Sequence, residues 1–234
     1  MVRSVGRFAA QADADDLIAE HNHWTSIIIE DVFRDHPAVL PAVGQVKKID
    51  FFIRNVPFDL KVTYLPESFV KDKRRDQGLR PELTLLKQLA RRTQIHFATD
   101  LPDGRLLEDL WAKHRDHPSS ESQQLIRELN EFRLKLLSEC QRNSTELIRW
   151  LYENQGVRRF DASNRIFLVL VDRSNFFESW KLKRAKPLLN QAISNYLDTI
   201  GDRPGQQLDF TWEGSTYTAV SDVVFVVHPG DGQA

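Results

Sequence analysis

Apolar residues recur at two different periods along this chain, and the switches between them mark its elements. From residue 13 to about 35, Leu17, Trp24, Ile27 or Ile28, and Val32 return at helical spacing. Asp13 or Asp15 is placed to cap that helix, and Pro37 and Pro41 to end it. Val46–Ile53 (VKKIDFFI) and Pro57–Leu65 (PFDLKVTYL) are instead rich in β-branched and aromatic residues. With Arg54-Asn55-Val56 between them as a short turn, they predict a β-hairpin.

From Pro66 to about Gln155 the period is helical again. Leu83, Leu86 and Leu89 form one stripe; Leu106, Leu107, Leu110 and Trp111 form another. A third runs through Leu125, Leu129, Phe132, Leu136 and Leu137 and continues at Leu147, Trp150 and Leu151. Asp103-Gly104 and Asp116–Ser120 punctuate the segment. Arg165–Asp172 (RIFLVLVD) is a near-continuous apolar run, as expected of a strand buried on both faces. A helix from about Trp180 to Ile200, stopped by Gly201 and Pro204, precedes two strands near Leu208–Trp212 and Ser215–Val227, split by Glu213-Gly214. The order predicts an α/β fold with a mixed central sheet flanked by helices. The 234 residues suffice for one such domain, 1–234, with a helical insertion over about 66–155.

Composition narrows the class. No apolar run approaches the roughly 18–20 residues of a membrane span, and MVRSVGRFAAQADADD lacks the apolar core of a secretory signal. A cytoplasmic protein with no membrane partner is expected. The single cysteine, Cys140, rules out an intrachain disulfide framework and a cysteine-rich zinc site; its place on an apolar stripe suits a buried hydrophobe. Net charge is only −1, but the positive charge is clustered. One group is Lys71, Lys73, Arg74, Arg75 and Arg80, followed by Lys87, Arg91 and Arg92; a second is Lys181, Lys183, Arg184 and Lys186. Each group suits either a phosphate backbone or a solvated helix surface.

Candidate chemistry sits in IDFFIRNVPFDLKVT. Asp50 lies between Ile49 and Phe51-Phe52, where burying a charge is expensive. Asp59 lies in the facing strand, and two-residue alternation puts Lys61 on the same face. Hairpin pairing brings Asp50 within reach of that face. Two carboxylates and an ammonium in an apolar sheet call for a compensating ligand, and a divalent cation would supply one.

Asp50, eight intervening residues, then Asp59-Leu60-Lys61 resembles the signature of the PD-(D/E)XK, restriction-endonuclease-like nucleases, in its apolar flanks as in its spacing. Ile49 stands where the signature has proline. The resemblance covers roughly residues 15–65 and 163–200, and the segment 66–155 is extra to that core. It implies a restriction-endonuclease-like fold in which Asp50, Asp59 and the Leu60 carbonyl bind Mg2+, with Mn2+ able to substitute. Lys61 would orient the attacking water. A further carboxylate from the first helix, Glu30 in preference to Glu20, would join as metal ligand and catalytic group. The implied activity is endonucleolytic cleavage of DNA in restriction or antiphage defence. An RNA- or branched-DNA-directed nuclease and a non-catalytic nucleic-acid-binding or assembly subunit are the alternatives.

Lys71, Lys73, Arg74, Arg75, Lys181, Lys183 and Arg184 are the expected DNA contacts. A homodimer or higher oligomer follows from the need to cut two strands, with leucine stripes of the insertion requiring a partner surface; an activating partner protein is also allowed for. Other signals are weaker. His21-Asn22-His23 spells HNH, but adjacent helical positions point about 100° apart and cannot share one ion. His96, His114, His117 and His228 read as surface or capping residues. Gln191 and Tyr196 are one residue too far apart for the Gln-x-x-x-Tyr motif of some helicase-linked members. Trp180 reads as core. There is no phosphate-loop or dinucleotide motif.

Overall fold

Arg54 and Asn55 both have positive φ, 49° and 69°. Two left-handed residues in succession make the tight turn whose twist matches paired strands, so the chain reverses within two residues. Val56 is therefore not part of the turn: it opens β3 (Val56–Tyr64) and pairs with Ile53 of β2 (Phe51–Ile53). The hairpin is present with that correction, but its first strand is Phe51–Ile53, shorter than the Val46–Ile53 expected: Asp50 lies outside it, and residues 46–48 are outside the described residues. The structure, a computed structural model, describes residues 27–42, 49–154, 164–201, 204–212 and 214–230.

The first helix is described over residues 27–34 (α1). Its Phe33 stacks on Phe51 with ring centroids 4.9 Å apart, which seats α1 against β2. A strand absent from the sequence reading follows, β1 (Val39–Pro41), antiparallel to β2 with Val39 opposite Ile53. Two prolines mask it in the sequence; a short edge strand tolerates them. The apolar run Arg165–Asp172 is β4, buried along almost its whole length as expected. Gln206–Trp212 (β5) and Ser215–His228 (β6) pair antiparallel from Gln206–Ser221 to Trp212–Ser215. Gly205 ends that ladder at φ 77°, so close to the Ser221 carbonyl (2.9 Å from an added Cβ) that no side chain fits. The strands form one six-stranded sheet in the order β1-β2-β3-β4-β6-β5. The α/β class with a mixed central sheet is thus present.

The expected single helix from Trp180 to Ile200 is two elements. A 3-10 segment, Phe176–Arg184, gives way at Ala185 to a helix over Lys186–Thr199. Pro187, in the first turn of the second helix, lacks the N–H that a continuous helix would need there.

The chain divides into two compact units, one of Met1–Val62, Arg159–Val171 and Ser179–His228, the other of Thr63–Arg158, Asp172–Glu178 and Pro229–Ala234. The second carries the helices of the 66–155 segment: α2 (Glu67–Asp76), α3 (Glu82–Arg92), α4 (Asp103–Asp116), α5 (Ser120–Arg142) and α6 (Thr145–Asn154). The helix over Lys186–Thr199 is α7. The leucine stripes meet inside the second unit, where Leu86, Leu106, Leu107, Leu110, Trp111 and Leu129 form one core with Leu125 beside it. They are covered by their own neighbours, so they no longer argue for a partner surface. Cys140 is buried as read, and burial pushes its thiol up to about 11.

At the centre of this unit Arg133 is 0% exposed. Its Nε donates to Glu82 Oε1 (3.0 Å) and its Nη1 to Glu67 Oε1 (2.9 Å). The guanidinium also lies 4.8 Å from the Trp111 ring centroid and 5.0 Å from that of Phe177. Nearby, His114 is fully buried rather than at the surface: Nδ1 meets Ser122 Oγ at 2.9 Å and Nε2 the Leu86 carbonyl at 3.1 Å. A neutral imidazole that donates through Nε2 and accepts at Nδ1 satisfies both. Burial, with His117 adding a little, holds His114 below its ordinary 6.5, although the Leu86 carbonyl opposes this. The unfolded chain therefore takes up this proton first. The stabilisation is fully present above about pH 6.5 and is lost as pH falls through the folded value. The urea midpoint is expected to drop between about pH 8 and about pH 5, and His114→Gln to flatten part of that drop. An unchanged slope in the variant would show that His114 is not the group responsible.

Candidate active site

Asp50 sits just beyond the regular end of β2. Its N–H donates to the Phe58 carbonyl at 2.9 Å, although Phe58 is registered opposite Phe51, so the ladder stops advancing here. The next N–H of β3 to need an acceptor on this side, that of Leu60, is met by the side chain: Leu60 N to Asp50 Oδ2 is 2.7 Å. The carboxylate thus completes a backbone ladder and is fixed by it.

Alternation along β3 puts Asp59 and Lys61 on one face, as read from sequence. Lys61 Nζ donates to Asp59 Oδ1 at 2.7 Å. Asp59 is 9% exposed, whereas the Lys61 side chain is 48% exposed. The other Asp59 oxygen faces Arg165 Nε at 3.5 Å, from the buried first residue of β4. Asn164, just before it, ties three strands together. Its carbonyl accepts from Asp59 N–H (3.0 Å), its Nδ2 donates to the Pro57 carbonyl (3.1 Å), and its Oδ1 accepts from Val220 N–H (2.8 Å). The Arg165 carbonyl accepts from the buried Ser221 hydroxyl at 2.7 Å. Neither Asn164 nor Arg165 was singled out from the sequence. A charged residue leading an otherwise unbroken apolar strand was the available signal for Arg165.

Burial raises the Asp50 carboxyl above its ordinary 3.8, against the pull of the Leu60 N–H. The Asp59 carboxylate raises it further, and Lys61 and Arg34 counteract. Asp50, Asp59 and Lys61 therefore share one electrostatic neighbourhood. The sign of the linkage follows: a carboxyl easier to protonate in the folded state costs stability wherever it is ionised, that is, above its folded value. Asp50→Asn keeps an acceptor for Leu60 and removes the charge, so calorimetry at neutral pH should give a higher Tm. A lower Tm would mean that the charge is structural.

The structure does not bring Glu30 into this group as a third ligand. Its carboxylate takes Arg34 Nη2 at 3.0 Å, one helical turn on, and Arg34 stands near Asp50. Among the described residues no three His, Cys, Asp or Glu side chains gather closely enough to hold one ion. Glu20 lies outside the described residues. What is present is a donor pair, Asp50 and Asp59, with the Leu60 peptide between them. In kind it suits Mg2+, which keeps several waters and uses one or two carboxylates. Lys61 holds Asp59 Oδ1, and its side chain is 48% exposed.

The basic residues separate into two sorts. Arg74 is buried, donates from Nε to the Arg80 carbonyl at 2.8 Å, and lies 4.7 Å from the Phe132 ring centroid. Lys73 is held by Glu146 at 2.6 Å and Asp76 at 3.7 Å. Arg74, being buried, presents nothing to a phosphate backbone, which corrects its assignment as a nucleic-acid contact; Lys73 is partly buried and already paired with carboxylates. Lys71 and Arg75 are exposed and share a cavity of about 330 Å³ with Lys87, Glu67 and Asp103. Lys181 and Arg184 are exposed; Lys183 is half-buried, and burial lowers its pKa. Trp180 is 52% exposed and not core.

No family model, curated protein or solved structure matches the chain. Among the described residues no helix is long and apolar enough to cross a membrane.

Proposed function

We propose that the chain is a metal-dependent endonuclease hydrolysing DNA phosphodiester bonds, of the restriction-endonuclease-like kind, acting in restriction or antiphage defence. The observation that carries this reading is the junction of β2 and β3, where Asp50 and the buried Asp59 share one electrostatic neighbourhood with the half-exposed Lys61. Each carboxylate also has a structural partner, but gathering two of them with a lysine among apolar residues is costly, and such clusters concentrate at functional sites.

Asp50, Asp59 and the Leu60 carbonyl would hold Mg2+, or Mn2+ in its place. Bound there, the ion would lower the pKa of a water and offset charge on the scissile phosphate. The chain's own residues do the rest. The Leu60 N–H fixes Asp50, and Arg165 and the Asn164 carbonyl fix Asp59. Lys61 leaves Asp59 Oδ1 and turns its ammonium to the attacking water or to the phosphate oxygens, where charge develops. One site cuts one strand, so a double-strand break is made by two copies of the chain related by symmetry. An activating partner protein is compatible with the same chemistry.

Purified protein is expected to nick and linearise plasmid in Mg2+ or Mn2+, to bind without cutting in Ca2+, and to leave the plasmid uncut in EDTA. Cleavage in EDTA would remove the metal mechanism. Light scattering with and without DNA reads the oligomer; a monomer throughout that still makes double-strand breaks would sink the two-copy arrangement. One observation favours a second reading: both Asp59 oxygens already face a cation, Lys61 and Arg165, as in a purely structural ion cluster. DNA binding with no cleavage in any divalent ion would select that non-catalytic reading. Cleavage confined to RNA or to branched DNA would keep the site and change the substrate.

A further inference from the structure

Trp180 is the feature that the nuclease reading leaves unused. The indole is 52% exposed, on a segment whose Phe176 and Leu182 are buried and whose Phe177 is partly buried. Lone exposed apolar residues are ordinary, and Ile28, Leu40, Leu79 and Leu101 are others here; what sets Trp180 apart is a large planar ring among cations. The neighbours give the chemistry. Lys181, Lys183, Arg184 and Lys186 place four cations within six residues of it, and the Lys181 ammonium lies 5.9 Å from the Trp180 ring centroid. In a 3-10 segment residues three apart eclipse, so Trp180 and Lys183 share one edge while Lys181 and Arg184 share the next. By the same spacing Glu178 shares the edge of Lys181 and Arg184, so the flat ring is bordered by three cations and one carboxylate, a short ridge of net positive charge.

We infer that Trp180 is a stacking platform for an unpaired base of single-stranded nucleic acid, with Lys181, Lys183 and Arg184 holding the flanking phosphates. This rests on the nucleic-acid reading above and narrows it. The faces of bases inside a duplex are covered by their neighbours; only a strand end, flap, gap or single strand offers a free face to an indole. Stacking tolerates any base because each has a π face, and the cations track a backbone that is the same at every step. The ridge therefore selects strand state rather than sequence. An acidic protein partner could also meet four cations, but single-stranded nucleic acid brings a planar face and a phosphate together at every residue, which is the pairing the ridge presents.

The test uses the full chain in EDTA, so that no strand is cut, and a fluorescein-labelled oligothymidylate of about 15 nucleotides beside a blunt hairpin duplex of similar charge. Wild type is expected to prefer the single strand. Trp180→Ala should weaken single-strand binding about tenfold or more, with duplex binding changed much less, and Trp180→Phe should keep most of it. The Lys181→Gln/Arg184→Gln double variant should reduce the salt slope by about one to two. Thermal melts of the variants should match wild type, since the residues replaced are exposed. Trp180→Ala that binds the oligonucleotide as wild type does overturns the inference and gives the patch to a protein partner. Wild type with no measurable single-strand binding also overturns it. Trp180-dependent binding by a protein that cuts nothing in Mg2+ leaves this inference standing while the nuclease reading falls.

Discussion

Lys61→Met is expected to abolish Mg2+-dependent plasmid cleavage, by more than about a hundredfold, while leaving stability within about 0.5 kcal/mol of wild type. The separation follows from the geometry. Lys61 touches Asp59 at 2.7 Å, but its side chain is 48% exposed, and a pair so open to water contributes little to folding. If the variant cleaves within about tenfold of wild type, the site assignment fails. Asp59→Ala should lose activity equally and also lose about 3 kcal/mol, because Arg165 stays buried 3.5 Å from a charge no longer there. Asp59→Asn keeps the shape and should recover part of that stability without recovering cleavage. Activity and stability measured together thus distinguish a residue placed for chemistry from one that serves both.

The largest stability effect should come from the other unit. Arg133→Ala is expected to destabilise the chain by about 3–5 kcal/mol in urea unfolding. It strands Glu82, whose carboxyl burial already pushes up and which the Arg133 guanidinium holds down. It also removes the guanidinium that lies against the paired rings of Trp111 and Phe177. Arg133→Met combined with Glu82→Leu should cost clearly less than the sum of the two single changes, since the pair is expensive mainly when broken. A single-variant loss below about 1 kcal/mol would show that water or a rearranged Glu67 replaces the pair.

The elements whose residues solve one physical problem were the legible ones. RIFLVLVD has only one stable place, inside a sheet, and forms β4 over the very residues read. Asp59 and Lys61 were readable as a pair because strand alternation is a local rule. Asn164 and Arg165 were not, because their meaning lies in partners 107 and 106 residues away, at Pro57 and Asp59. The same limit explains Arg74 and Lys73. A run of cations looks like a surface until tertiary packing turns one under Phe132 and clamps another to Glu146. It explains Trp180 in the opposite sense, since an aromatic reads as core until the backbone turns it outward. The split between Arg184 and Lys186 was in the sequence, at Pro187, and the continuity of apolar spacing concealed it.

The clamp formed by Asn164 has a consequence for biosynthesis. A chain on the ribosome that has emerged only as far as Asn154 already carries Asp50, Asp59 and Lys61 and every residue of α2 to α6. It lacks Asn164, whose main-chain carbonyl accepts from the Asp59 N–H, and the Arg165 guanidinium that faces Asp59; it also lacks Val220, whose N–H donates to the Asn164 side chain across 56 residues. Such long-range closures form late, because the entropy of joining distant segments is met before any contact returns it. The charged centre is therefore completed only when the last strand has been made, and an immature chain holds its carboxylates without the frame that aims them.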